Sequence, residues 1–279
     1  MNKYIRNILM SIAGAILFLV LAAIVLAYAL QDKVKQQIVV QINEQITVPV
    51  QVKGGVDFSL LKHFPYASLS FNDVTISDTL RPGKNLMHVK EFSLLCNIYS
   101  LFGNKIELKK ILAKEGELNL YKDDKGRMNF DILKAAASSN PKKDLGVKLQ
   151  KAEIKNVHFT YNDKVLATYT DIDLNEARLS GNFSSTQFDL TSNLTARVNE
   201  INATGQQYMA KRNIKADVVL EVNNNTHRFT FKKGNISIEG NEFNISGFFA
   251  ALKNGTQLDF TLLNAGKDIR KLVGLIPEK

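Results

Sequence analysis

Cysteine is almost missing from this chain: Cys96 stands alone among 279 residues. A single thiol excludes an internal disulfide framework and zinc sites of the CxxC kind, and it leaves the redox compartment open. Tryptophan is absent and proline occurs only five times, which removes collagen-like, proline-rich and low-complexity classes. Catalytic grammar is equally sparse. The four histidines, His63, His88, His158 and His227, lie far apart, and none stands at i, i+4 to another or beside a carboxylate at metal-binding spacing. His88 and His158 fall on polar phases and read as surface residues, whereas Cys96 falls on an apolar phase and reads as a small buried hydrophobe. No GxSxG, phosphate-binding glycine loop or HExxH occurs. Asp123-Asp124-Lys125-Gly126 lacks the later Glu that closes an EF-hand loop, and a hairpin turn explains it. The expectation is a protein that is not an enzyme and holds no cofactor or metal.

What is present is ordinary globular material, 45% hydrophobic and 23% charged, enough for one large or two small domains. The formal charge of +9 raises the question of nucleic acid. Lys and Arg are scattered among Asp and Glu with no cluster of aromatics and arginines, so a nucleic-acid partner is not expected. A solvated surface is the first reading of this charge and attraction to anionic lipid headgroups the second. Seven Asn-x-Ser/Thr triplets, at Asn182, Asn193, Asn202, Asn224, Asn235, Asn244 and Asn254, follow from a composition rich in Asn, Ser and Thr and read as polar residues at strand edges.

Residues 8–30 carry no charge and hold thirteen Leu, Ile, Val or Phe side chains. As a helix they reach roughly 34 Å, enough for a hydrocarbon core of about 30 Å. Ala27-Tyr28-Ala29 satisfies the small-x-small rule for signal-peptide cleavage behind a leader containing Lys3 and Arg6. The apolar run is longer than the roughly 7 to 15 residues of a signal-peptide core, and it has no polar face, so an uncleaved membrane anchor is the reading adopted. Lys33 and Lys35 beyond the span weaken the positive-inside signal. The short leader is nonetheless the natural cytoplasmic end, with the bulk of the chain on the far side.

Val34, Ile38, Ile42 and Ile46 then repeat at four-residue spacing, which predicts a short amphipathic helix. The period changes to two at Ile46, Val48, Val50 and Val52, a first or edge strand because Pro49 cannot donate to a ladder. Gly54-Gly55 is expected to turn the chain. Strand patterns follow to the C-terminus. Leu69 and Phe71 share a face, the phase slips at Asn72-Asp73 where a bulge is expected, and Val74 and Ile76 resume it. Further apolar faces hold Phe92, Leu94, Cys96 and Ile98, then Leu118 with Leu120, then Val157, Phe159 and Tyr161, and others through Leu262. Asp124-Lys125-Gly126, Asn223-Asn224-Asn225, Lys233-Gly234-Asn235 and Lys253-Asn254-Gly255 read as separating turns. A weak repeat places a turn-prone residue (Asn72, Gly116, Asn156), an alternating apolar set and an acidic stop about 40 to 45 residues apart, which suggests stacked β units. Periodicity is lost between 135 and 147, and residues 267–275 pattern as a short helix. The domain reading is 1–31 leader and anchor, 32–135 amphipathic helix with a first β unit, 136–147 linker, and 148–279 a second β unit.

Several segments in this order resemble the N-terminal part of the AsmA-like family of bacterial envelope proteins. They are the anchor with its follow-on helix; Phe64-Pro65-Tyr66-Ala67-Ser68-Leu69-Ser70-Phe71-Asn72-Asp73-Val74 within 58–76; Ser100-Leu101-Phe102-Gly103-Asn104-Lys105-Ile106; and Gly116-Glu117-Leu118-Asn119-Leu120-Tyr121 running on to Gly126-Arg127-Met128-Asn129-Phe130. Residues 148–163 and 268–277 resemble the reopening of the sheet and a helical break before a further repeat. Similar members are usually longer, so this chain is expected to be a short or shortened one. The resemblance implies a bacterial inner-membrane protein, single-pass with a cytoplasmic N-terminus, whose periplasmic β part forms a groove related to those that conduct phospholipids. A sheet with one apolar face must bury it on a sheet, on helices or on a ligand, and helices here are few.

The expected fold is mostly β (α+β): an anchor and a short helix, then an extended, antiparallel, curled sheet. The expected role is phospholipid transport or outer-membrane biogenesis. The candidate lipid-contacting residues are Val48, Val50, Val52, Leu69, Phe71, Val74, Ile76, Phe92, Leu94, Leu118, Leu120, Val157, Phe159 and Tyr161. Expected partners are membrane phospholipids, with other envelope proteins or self-association also open. The alternative is a membrane-tethered β-sandwich that packs its apolar faces together and serves as a scaffold for a protein partner.

Overall fold

A computed structural model describes residues 47–63, 66–97, 108–132, 149–183, 185–252 and 255–266. The expected span and amphipathic helix, the linker at 136–147 and the helix at 267–275 lie outside the described residues. Among those described, the elements are twelve strands: β1 (Val50–Val52), β2 (Val56–His63), β3 (Tyr66–Ser77), β4 (Asn85–Asn97), β5 (Leu108–Lys122), β6 (Lys151–Asp163), β7 (Thr168–Ser180), β8 (Gln187–Ala203), β9 (Gln206–Asn223), β10 (Arg228–Ile238), β11 (Asn241–Leu252) and β12 (Gly255–Asn264). All belong to one sheet, ordered as in the chain from β3 to β12, with β1 and β2 both on β3. The sandwich alternative needs two sheets, and these strands build one that curls without closing.

Every ladder is antiparallel except β5 with β6, which run parallel from Lys110↔Lys151 to Lys122↔Asp163. The residues on either side of the sequence-defined linker are therefore joined in a single sheet. Parallel neighbours cannot share a hairpin, and the chain between them returns from one end of the sheet to the other.

Two expected turns are something else. Val52 pairs with Val74 and Val56 with Phe71, both antiparallel, so Gly54-Gly55 does not reverse the chain. β1 and β2 run end to end along β3, and the glycines pass over Asn72, with Gly54 N–H donating to the Asn72 carbonyl at 3.0 Å. A Cβ on Gly54 would sit 2.7 Å from that oxygen, which is why the crossing needs glycine. Lys233-Gly234-Asn235 likewise lies inside β10. It forms a bulge, with register shifts after Phe231 against both neighbours, and buried Gly234 leaves no room for a side chain against Ile245. Polar residues and glycine at a bulge mimic a turn in sequence, because both need a backbone released from the pleat.

The predicted slip at Asn72-Asp73 is one point on a seam that runs from β3 to β6. Asp73 has φ 55°, Glu115 54° and Asn156 51°. The ladders resume in step on both sides of these residues, from Asn72↔Glu91 to Val74↔Val89, from Glu91↔Lys114 to Val89↔Gly116, and from Lys114↔Lys155 to Gly116↔Val157. Because a strand alternates faces, one extra residue flips everything after it. Adjacent strands each take the extra residue at the same row, so their apolar residues stay together.

The acidic stops of the repeat form a second aligned feature. Asp78, Asp123 and Asp163 are buried and each closes a strand by accepting backbone amides of the following turn. Asp78 Oδ1 accepts from Leu80 and Arg81, Asp123 Oδ1 from Lys125 and Arg127, and Asp163 Oδ1 from Val165 and Leu166, at 2.8–3.0 Å. Fully buried Asn129 ties this end together, donating to Asp78 Oδ2 and to the Asn119 carbonyl, and accepting from Tyr121 N–H. Burial alone raises a carboxylate pKa. At Asp163 it is outweighed by the amides of Leu166 and Val165, the Tyr161 hydroxyl and Lys122, and the pKa falls below its ordinary value. Asp78 is lowered in the same way by Asn129, Leu80 and Arg81 against its burial.

Two outcomes follow for the full-length protein in detergent. Leu69 is 2% exposed in the core under β3 and β4 while Leu258 on β12 is 62% exposed. Chemical denaturation should show Leu69→Ala losing about 2–5 kcal/mol and Leu258→Ala about 0.5 kcal/mol or less; equal losses would contradict the contrast between the packed face under β3 and β4 and the open face of β12. Carboxylates with a depressed folded pKa contribute stability above their unfolded pKa, about 3.9 for Asp, and lose it as pH falls through the folded value. Denaturation midpoints should therefore drop below about pH 4. Asp163→Asn, measured over the same series, should flatten that acid limb.

Candidate lipid-facing surface

Tracing paired residues across the sheet joins the apolar side chains into rows. One runs Val52, Val74, Val89, Gly116, Val157, Leu174, Ala196, Ile214 and Ile238. A second runs Phe58, Leu69, Leu94, Ile111, Ala152 and Leu179. A third occupies the later strands: Phe188, Val222, Phe229, Phe249 and Leu258. No charged residue stands in any of the three. Charges line the other face, in cross-strand pairs such as Lys110–Glu153 at 2.8 Å, Lys155–Glu176 at 3.4 Å and Lys232–Asp189 at 2.6 Å.

Thirteen of the fourteen sequence candidates lie on this apolar face: Val50, Val52, Leu69, Phe71, Val74, Ile76, Phe92, Leu94, Leu118, Leu120, Val157, Phe159 and Tyr161. Val48 precedes β1 and is half-buried. The face is not uniform. Leu69, Phe71, Val74, Leu94 and Val157 are at most 7% exposed and pack with Val56, Phe58, Met87, Phe92, Ile111 and Leu118 as a core. The apolar face opens toward the other edge, where Leu258, Phe260 and Leu262 are 62%, 45% and 54% exposed.

The later part of the face is aromatic. Phe229 and Phe249 stack at 4.4 Å, and Phe231 meets Phe260 edge to face at 5.8 Å. Gly247 stands between Phe231 and Phe260 in the register. It has φ 112°, and a Cβ there would collide with the Asp259 carbonyl at 1.8 Å, so the space over it is left to the two rings. None of these residues was among the candidates. The signal was present as phenylalanine density, since six of the sixteen Phe fall between 229 and 260. What sequence alone could not supply was which part of the face the curl leaves uncovered.

The reactive groups near this surface are engaged or subdued. Burial pushes the Cys96 thiol up to about 11, so it stays protonated near neutral pH and is a weak nucleophile. Tyr161 presents its ring to the apolar face while its hydroxyl donates to Asp163 Oδ2 at 2.8 Å; burial, and then the Asp163 carboxylate, push its pKa up to about 12. His158 lies on the polar face as expected. It has carboxylate neighbours that its sequence surroundings do not reveal: Nδ1 is 2.8 Å from Asp173 Oδ1 and Nε2 is 3.7 Å from Asp171 Oδ1. Asn199 Nδ2 donates to both acids. The His158 hydrogen bond is the main cause of the lowered Asp173 pKa, with Asn199 second.

The arrangement suits a ligand that is apolar over a long stretch: uncharged rows on one face, charges on the other, and a packed core giving way to exposed Leu258, Phe260 and Leu262 on β12. No curated protein matches the chain. The sequence profile of the AsmA family matches residues 1–265, and the chain belongs to the AsmA family.

Proposed function

We propose that this protein is an inner-membrane-anchored, periplasmic β-groove protein whose apolar face holds phospholipid acyl chains, in phospholipid transport or outer-membrane biogenesis. The observation that carries the reading is an apolar face that continues across a single open sheet as far as exposed Leu258, Phe260 and Leu262 on its last strand. Membership of the AsmA family, a family of the bacterial envelope, supports the same compartment. Burial gains about 0.8 kcal/mol per methylene, so an acyl chain laid along the open part of the face gains free energy with length while its headgroup stays in water. The apolar run at residues 8–30 supports an anchor that holds the first strands near the membrane.

Lipid extraction and mass spectrometry of the purified full-length protein, after detergent exchange, should recover phospholipid at a fixed ratio. Phe260→Glu places a carboxylate on exposed apolar surface and should cut the retained lipid several-fold, while loss of the Phe231 contact lowers the unfolding temperature by only a few degrees. Folded wild-type protein that carries no lipid, or retention unaffected by Phe260→Glu and by Leu262→Lys, would sink the reading.

A further inference from the structure

The two edges of the sheet are built differently. The β1–β2 edge carries Pro49, Lys53 and the Gly54-Gly55 crossing, devices that discourage another strand from pairing. The β12 edge has none of them. Its ten residues, GTQLDFTLLN, contain no proline, no lysine and one charge, and among the described residues no strand pairs with its outer side. Such an edge is a template for a further strand.

We propose that β12 is an assembly edge that pairs antiparallel with β12 of a second copy of this chain. The pattern of the strand argues for itself as partner. Leu258, Phe260 and Leu262 share the apolar face, while Gln257, Asp259, Thr261 and Leu263 point the other way, all of them exposed. An antiparallel pair keeps the apolar faces of both copies on one side only if the paired residue numbers sum to an even value. A two-fold axis at Asp259 would set Asp259 against its own copy, a like-charge pair. Moving the axis to Phe260 pairs Leu258 with Leu262 and Asp259 with Thr261, places no like charges opposite one another, and uses residues 256–264. An axis at Thr261 also avoids the Asp pair but shortens the ladder. The favoured register continues the rows of the sheet from one copy into the next, with Phe260 at the joint. The pairing goes beyond the lipid reading and stands or falls without it.

Sedimentation velocity on the full-length protein in detergent, across a range of protein-to-micelle ratios, tests the pairing. Wild type should pass from monomer to dimer. Thr261→Asp sets a carboxylate opposite the second copy's Asp259 at both symmetry-related points and should weaken the dimer about tenfold. Thr261→Lys offers an ammonium to the same carboxylates and should preserve or tighten it. Both changes are at an exposed side chain whose partner on β11 is Ser246, so unfolding temperatures should match wild type. A protein that stays monomeric throughout, or a dimer of equal strength in both variants, overturns the proposal. Slow exchange in a monomer of those β12 amides that point away from β11 would overturn it too, since another segment would then occupy the edge.

Discussion

The structure depends on phase. A sheet with one apolar face must keep the two-residue alternation of each strand in step with its neighbours, and a single unmatched residue sends the rest of a strand to the wrong side. The seam through Asp73, Glu115 and Asn156 meets this constraint by having adjacent strands step together. It also decides local composition. The seam residues are polar, Lys90 and Glu115 pair across it at 3.2 Å, and the next row must admit glycine at 116, where a Cβ would lie 2.0 Å from the His88 carbonyl. Bulges increase twist, so the same row that preserves the apolar face also helps curl it.

Curl then divides that face. Around β3 and β4 the side chains close on one another as an ordinary core, which supports the domain; on β12 the same kind of residue is left open. The buried carboxylates at one end of the strands serve the closed part. They satisfy the turn amides and Asn129 without admitting charge to the rows. Stability and the proposed binding thus draw on different stretches of one continuous surface.

Much of this was legible in the residues. Alternation assigned thirteen candidates to a common face, the slip at Asn72-Asp73 marked a real break in the pleat, and the acidic stops at Asp78, Asp123 and Asp163 coincide with strand ends. These are local signals, readable because a period of two and an Asx turn need only near neighbours. The misreadings were of long-range origin. Gly54-Gly55 and Lys233-Gly234-Asn235 looked like turns because glycine serves equally where a neighbouring backbone, Asn72 or Ile245, comes too close for a side chain. The carboxylates beside His158 are on β7, opposite it only through register. The open apolar stretch on β12 was overlooked because exposure depends on the curvature of the whole sheet.

The parallel junction of β5 and β6 has a kinetic consequence. A hairpin zips from its turn, so its first contacts are nearly free of loop-closure cost, and each later pair adds to a loop already closed. Between β5 and β6 every partner stands 41 residues away, at Lys110↔Lys151 as at Lys122↔Asp163, so the ladder has no cheap starting point. Two meanders, β3–β5 and β6–β12, can each grow by local zippering, and the step that unites them is a collision of two preformed edges. Until it occurs, the nascent chain carries two more unpaired edges, in the middle of the molecule.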